Sequence, residues 1–306
     1  SASSLNDVDW AARTRTQQFA ALRAALDKDK VIAELKDLEY LNQLKGKAGC
    51  DKQDVARWLH NGWSTERLLW MNYDQLEGDA LTQAVHWAFP QAYYSTYACL
   101  QAFLTATCSP IENHRSTVKD FGNNIEKEKY PNSVSFMAFG ERYNIKYKNT
   151  ENYHPSSSIF MRLENEKEIQ SVICSFLKST RKKHLEKQRK NMDFTKRDGS
   201  KKVNLSKEER CDVSESLGNT TIMSLLWRMR IRANYDDIST FLSEDIESSR
   251  VLVSLYHVSF IMDFVHECYI SAVMGVNWVK SSIRNCPSNY EPLKSRSSII
   301  REVLHG

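Results

Sequence analysis

Ala92-Tyr93-Tyr94-Ser95-Thr96-Tyr97-Ala98-Cys99-Leu100-Gln101-Ala102-Phe103-Leu104 is the stretch on which the fold turns. It contains neither glycine nor proline, and its apolar residues recur at the three- and four-residue spacings of a helix that buries most of its surface. Pro90 stands just before it. Proline lacks the amide hydrogen and clashes with the preceding turn. The apolar run from Asp79 to about Cys108 is therefore predicted to break at Pro90 and restart, with Pro90 in the first turn of the new helix.

Outward from this stretch the helical period continues. Asn6 to Leu26 is a predicted amphipathic helix, with Asn6 or Asp7 placed to accept from its free amides. A second helix is predicted from about Lys30 to Leu44. Asp51 is placed to cap a third that carries Val55, Trp58 and Leu59 and stops at Gly62, and Ser64 opens a fourth, interrupted at Gly78. Downstream, Asn113 to about Ile125 and Glu164 to Lys190 are predicted helices. Residues 128–163, with Pro131, Gly140 and Pro155, are predicted as loop with short helical pieces, Ser156 to Ser158 forming an exposed turn. Helical spacing resumes at about Leu217. Ser243-Glu244-Asp245 is placed to cap and open the last long helix, with both acids at the positive end of its dipole. A terminal helix spans Lys294 to Leu304.

Composition agrees with an all-α class. The 306 residues are 41% hydrophobic and 26% charged, with only 10 Gly and 6 Pro, too few breakers for a turn-rich β fold. No uninterrupted apolar stretch nears the roughly 20 residues of a membrane span. The longest candidate, Val251 to Val276, is broken by Ser254, His257, Asp263, His266 and Glu267. The polar start at Ser1 reads as carrying no signal peptide. Cysteines at 50, 99, 108, 174, 211, 268 and 286 form no CxxC pair, which predicts free thiols and a cytoplasmic setting.

The net charge is +4, and its distribution says more than its sum. From Lys178 to Arg210 basic residues outnumber acidic ones by more than two to one, and apolar residues are sparse. This segment is predicted to be a solvent-facing basic arm that does not order itself unaided. Lys182, Lys183, Lys187, Arg189, Lys190, Lys196 and Arg197 are its candidate nucleic-acid contacts, because clustered cations bind phosphate by counterion release. A solvated loop, or a contact for an acidic protein, is the alternative.

Three segments together resemble the HEPN family of helical bundles: the stretch Ala92 to Leu104; His114-Arg115-Ser116 with Phe121-Gly122; and Arg232-Ala233-Asn234-Tyr235-Asp236 followed by Ser243-Glu244-Asp245-Ile246. The last is similar to an Arg-x-Ala-Asp-Tyr-Asp element of one branch, with Asn234 in place of Asp. The resemblance covers roughly 79–125 and 217–281. It implies a HEPN-like antiparallel bundle over 79–281, interrupted by an insert at 126–216 that holds the basic arm 178–210, with an N-terminal helical extension (1–78) and a C-terminal helix (282–306). It also implies dimer formation, RNA as the favoured partner, no cofactor, and either metal-independent ribonuclease activity or a binding role, as in prokaryotic defence and toxin–antitoxin systems. A non-catalytic subunit that docks a protein partner is the alternative.

The ribonuclease branch uses an arginine, then about four to six residues, then a histidine that exchanges protons. Arg232 occupies the arginine's place, but Asp237, Ile238 and Ser239 stand where the histidine belongs. Tyr235 and Asp236 are then candidate partners of Arg232, and His114 a candidate facing it across a pocket. The alternative is a polar cap network made by Arg232, Asn234, Tyr235 and Asp236. Arg250 and His257 are about two helical turns apart on one face, a weaker candidate pair. Tyr93, Tyr94 and Tyr97 read as core rather than as a base-stacking stripe. No His-Glu-x-x-His, paired-cysteine or glycine-rich phosphate motif occurs.

Overall fold

The computed structural model describes residues 7–47, 49–150, 163–195, 200–236, 238–243, 246–286 and 290–305. In chain order its helices and strands are α1 (Asp7–Ala25), α2 (Lys28–Asp37), α3 (Glu39–Leu44), α4 (Lys52–Gln75), α5 (Gly78–Ala106), α6 (His114–Glu126), β1 (Met137–Phe139), β2 (Lys146–Lys148), α7 (Glu166–Asn191), α8 (Lys207–Leu217), β3 (Thr220–Thr221) and α9 (Ile222–Ile231). A π-helical turn (Arg232–Asp236) follows, then α10 (Ile238–Phe241), α11 (Ser248–Met274), α12 (Val276–Asn285) and α13 (Glu291–His305). The chain is mostly helical, as its composition predicts.

At the centre, α5 packs between α4 and α11, and α1 lies against both α11 and α7. One hydrophobic core runs from Ala12 to Leu304, so the N-terminal helices share it with α5 and α11. Phe19 of α1 shows the mechanism: its ring meets Phe89 of α5 edge-on at 5.1 Å and Phe176 of α7 at 5.8 Å, and Phe89 in turn meets Phe241 at 4.7 Å. Such edge-to-face pairs add to the burial of the rings.

Two expected breaks are absent. α5 is continuous through Pro90, where burial of Val85, Ala88 and Phe89 before the proline and Ala92 and Tyr93 after it outweighs the lost hydrogen bond. α4 is continuous through Gly62. A Cβ there would stand 2.8 Å from Cys99 Sγ and 3.3 Å from the Ser95 carbonyl, so the glycine admits α5 rather than ending a helix. On an exposed helix, Gly→Ala stabilises by about 1 kcal/mol. Gly62→Ala is expected instead to destabilise by about 1–3 kcal/mol, the cost of overpacking. Chemical denaturation reads the sign, and a gain in stability would contradict the close approach.

Other corrections concern loops and caps. The segment after α6 holds a short 3-10 turn (Asn132–Val134), as expected, but also supplies β1 and β2, which join β3 in a small antiparallel sheet of order β2-β1-β3 with Met137 opposite Lys148 and Thr221. Strands of two or three residues are too short to show an alternating pattern. The exposed-turn reading of residues 156–158 lies outside the described residues. The last long helix opens at Ser248, after Glu247, rather than at Ser243, and no side chain caps it. The basic segment is not a free arm. Helix α7 continues to Asn191, with Arg181, Leu185 and Gln188 buried on its inner face. Arg181 joins α7 to the sheet region: Nε donates to the Gly140 carbonyl at 2.7 Å, Nη1 to the Gly218 carbonyl at 2.8 Å and Nη2 to Ser214 Oγ at 2.8 Å.

Cys50 and Cys108 form a disulfide with Cα atoms 5.4 Å apart, tying the start of α4 to the end of α5. This overturns the reading of seven free thiols and removes the cysteine argument for a reducing compartment. By length and composition, α11 passes the test for a membrane-crossing helix, but 78% of its most apolar window is buried in the protein.

That burial encloses a polar network. Arg296 of α13 holds Glu66 of α4 through two hydrogen bonds, 2.9 and 2.6 Å, and Glu267 of α11 at 3.0 Å, all three side chains being fully buried. Trp63 Nε1 donates to Glu267 at 2.7 Å. Ser95 Oγ contacts both the Gly62 carbonyl, at 3.1 Å, and Asp263 Oδ2. A hydroxyl has one proton to donate. Both contacts are satisfied when Ser95 donates to Gly62 and a protonated Asp263 donates to Ser95, and burial holds the Asp263 carboxyl well above the usual range.

Burial also lifts the Glu267 carboxyl from 4.5 to about 7; Arg296 opposes the shift and Glu66 adds to it. The folded state binds this proton more tightly than the unfolded chain. Its contribution to stability is therefore complete below about 4.5 and is lost as pH rises through about 7. His184 and His266 act with opposite sign. Burial lowers them from 6.5 to about 4 and about 3, so their contribution is present above 6.5 and lost as pH falls. Comparison with Glu267→Gln isolates the carboxylate. Relative to wild type, the variant should gain up to about 3 kcal/mol between about pH 5 and about pH 8. Urea midpoints measure this, and a flat or falling difference contradicts it.

Candidate nucleic-acid interface

Helical geometry sorts the residues of α7. Arg181, Leu185 and Gln188 face inward, while Lys183, Lys187 and Lys190, two residues further along at the same spacing, are exposed. Asn165 starts the helix by accepting from the Glu168 amide at 3.0 Å, and acidic Glu166 and Glu168 occupy its first turn. The lysines thus gather toward its C-terminal end, where the dipole favours cations.

Across from this face lie α9 and the π-helical turn. Between them runs a groove of about 880 Å3, with Lys183, Lys187 and Lys190 on one wall and Arg228, Arg232 and Tyr235 on the other. His184 and Trp227 also line it, their ring centroids 5.7 Å apart. Glu186 is the one carboxylate lining it among the described residues. The three lysines make no ion pair among the described residues. Arg228 is anchored by hydrogen bonds from Nη1 to Ser179 Oγ (3.0 Å) and Thr180 Oγ1 (2.8 Å).

The electrostatics are those of an anion site. Burial first, then Arg228, Lys187 and Arg181, push His184 down to about 4, so its imidazole is neutral at physiological pH. Burial and the neighbouring Arg232 lower Arg228 to about 10, which leaves it charged. Tyr235 is 76% exposed at the end of the groove.

The structure therefore brings together Arg232, Tyr235, Lys183, Lys187 and Lys190, residues predicted in two separate segments. It does not bring His114 to Arg232. Arg228 and Arg232 share one face of the helix, and Arg230, two residues from each, points the opposite way. His114 meets that other face. Its Nδ1 is 2.9 Å from the Tyr93 hydroxyl, its ring centroid is 4.2 Å from that of Tyr97, and burial and then Arg230 lower its pKa. Arg230 donates to the Tyr94 hydroxyl at 2.7 Å. Tyr93 and Tyr97 are buried as expected, whereas Tyr94 is 40% exposed.

The remaining candidates lie elsewhere. Lys182 is exposed on α7 but does not line the groove. Arg189 donates to the Lys202 and Val203 carbonyls, so it ties down the chain that follows α7. Asp236 ends the π-helical turn. Lys196 and Arg197 lie outside the described residues. Arg250 pairs with Glu247 at 3.3 Å and His257 Nε2 meets the Leu26 carbonyl at 2.7 Å, so each has a structural partner.

His184, Trp227 and Arg228 are groove residues that the sequence reading passed over. The four-residue spacing from Arg228 to Arg232 was a usable signal, as was His184 standing within the lysine-rich helix. No three or more His, Cys, Asp or Glu side chains are grouped to hold a metal among the described residues. No family model, curated protein or solved structure matches the chain.

Proposed function

We propose that the protein binds nucleic acid, RNA in preference, along the groove between α7 and α9. One observation carries the reading: three lysines without ion pairs face two arginines across an open groove whose lining holds a single carboxylate among the described residues. Such a wall neutralises phosphates by counterion release, whatever the base sequence. The exposed Tyr235 ring and Trp227 offer stacking surfaces. The preference for RNA, and a HEPN-like bundle as the frame, rest on the resemblance of the three sequence segments.

Lysine protection tests the location. With single-stranded RNA bound, Lys183, Lys187 and Lys190 should lose most of their reactivity toward an acetylating reagent, read by peptide mass spectrometry. Lys182, on the same helix outside the groove, should keep its own. Equal protection of all four, or none, would sink the proposal.

His184 supports a second, catalytic reading. A neutral imidazole beside two guanidinium groups is equipped to accept a proton from a ribose 2′-hydroxyl while the arginines stabilise charge on the phosphate. Burial is the larger cause of the low His184 pKa and would remain, and a bound phosphate would offset the smaller, cationic part. Metal-free incubation with labelled RNA tests this: wild type should cleave, and His184→Ala should bind without cleaving.

A further inference from the structure

Behind the lysine face of α7 lie two adjoining cavities, of about 250 and about 340 Å3, that share Arg142, Glu186 and Arg189. Each has an apolar part, but the first carries an aromatic wall and the second the lysines. The first has an apolar floor of Leu185, Val203, Leu205 and Val213. One wall is Tyr143, 78% exposed, with the Arg210 guanidinium 5.4 Å from its ring centre. Arg210 is fixed there by Glu141 at 3.0 Å and the Leu205 carbonyl at 2.8 Å. The second cavity gathers Lys190, Lys201 and Lys202 beside Arg142 and Arg189, with Met192 and Phe194 as its apolar part.

Most of that positive charge is not neutralised internally. Lys202 pairs with Glu209, and Arg189 donates only to backbone carbonyls. Arg142, Lys190 and Lys201 have no carboxylate partner among the described residues. Glu186, on the wall common to both cavities, also has none. The order along the site is therefore an apolar slot with an aromatic wall, a carboxylate, and a cluster of cations. The first cavity alone falls short of the roughly 300–1,000 Å3 usual for an organic ligand and the second only just reaches it, whereas the two together lie well within it.

We propose that this double cavity binds a phosphorylated nucleoside. The base lies on the apolar floor against Tyr143, Glu186 accepts from the ribose hydroxyls, and Arg142, Arg189 and Lys201 hold the phosphates. A bare anion would leave the apolar slot unused, and an apolar ligand would leave the cations unanswered. Glu186 and Lys190 also line the groove described above, so the ligand is either a free nucleotide or the phosphorylated end of a strand lying in that groove. The second source rests on the nucleic-acid reading, whereas the first does not.

The test has two arms, both on the full chain. In the first, calorimetric titration compares AMP, ATP and inorganic pyrophosphate on wild type and on Arg142→Ala/Lys201→Ala, two exposed cations that hold nothing else in place. Nucleotide binding that exceeds pyrophosphate binding and weakens at least tenfold in the variant supports a free-nucleotide site. In the second, 5′-phosphorylated and 5′-hydroxyl RNA of one sequence are compared. A preference of about tenfold for the phosphorylated strand, lost in the variant while the hydroxyl strand binds as before, supports a strand-end site. Nucleotide binding without any RNA binding removes the groove reading and leaves the cavity proposal standing. Equal binding of pyrophosphate and nucleotides overturns the proposal, as does the absence of both nucleotide binding and a 5′-phosphate preference.

Discussion

Arg296→Met is expected to destabilise the fold by about 4 kcal/mol, within the 3–5 kcal/mol observed when one partner of a buried ion pair is removed. The substitution keeps most of the side-chain volume and deletes the only cation in contact with Glu66 and Glu267 among the described residues. Both carboxylates would stay fully buried, and Glu66 would lose both of its charge-assisted hydrogen bonds. The loss measures the isolation of those carboxylates rather than the net worth of the pair, because desolvating three charges already costs much of what their attraction returns. Replacing Glu66 and Glu267 by methionine in the same chain should therefore recover most of the stability. Urea denaturation of the two variants separates these contributions. A loss below about 1 kcal/mol for Arg296→Met alone would mean that the network is open to water.

The second large effect is on affinity. Lys183→Ala/Lys187→Ala/Lys190→Ala is expected to weaken binding of single-stranded RNA about 100-fold at about 0.1 M salt. In the counterion-release picture each phosphate contact on a single strand changes log K by about 0.7 per decade of salt, so three contacts supply about two decades between 1 M and 0.1 M. Folding should be unaffected, because all three side chains are exposed and unpaired. Fluorescence anisotropy with a labelled oligonucleotide gives the ratio. A loss under threefold would place the binding surface elsewhere.

Much of the helical frame was legible because long helices repeat their apolar period many times. The stretch from Ala92 to Leu104 is helical and almost wholly buried, the starts of α4, α6 and α7 fall within two residues of their predicted positions, and Asp51 caps as expected, while Asn113 is the cap of α6 rather than its first residue. Where local rules failed, tertiary packing decided. Gly62 and Pro90 read as breakers, yet each lies inside a helix held on its buried side by neighbouring elements. Strands β1 to β3 are too short to carry a period.

The basic segment misled for a different reason. Its composition is polar, but Arg181, Leu185 and Gln188 recur at helical spacing and bury one face, so a few well-placed residues order what the average suggests is loose. The Cys50–Cys108 pairing depends on where α4 starts and α5 ends in space, which spacing alone does not reveal. The groove was half legible. Its lysines and Arg232 were found in separate segments, but the face of α9 that meets α7 excluded His114 and brought in His184.

Salt dependence of RNA binding tests the central claim most directly. Anisotropy titrations from about 0.05 to about 0.5 M salt give the slope of log K against log salt for wild type and for the triple lysine variant. The groove reading predicts a wild-type slope steeper than the variant's by about 2, one increment of roughly 0.7 for each lysine removed. Equal slopes, or no binding by wild type at the lowest salt, would show that this groove does not hold the phosphate backbone.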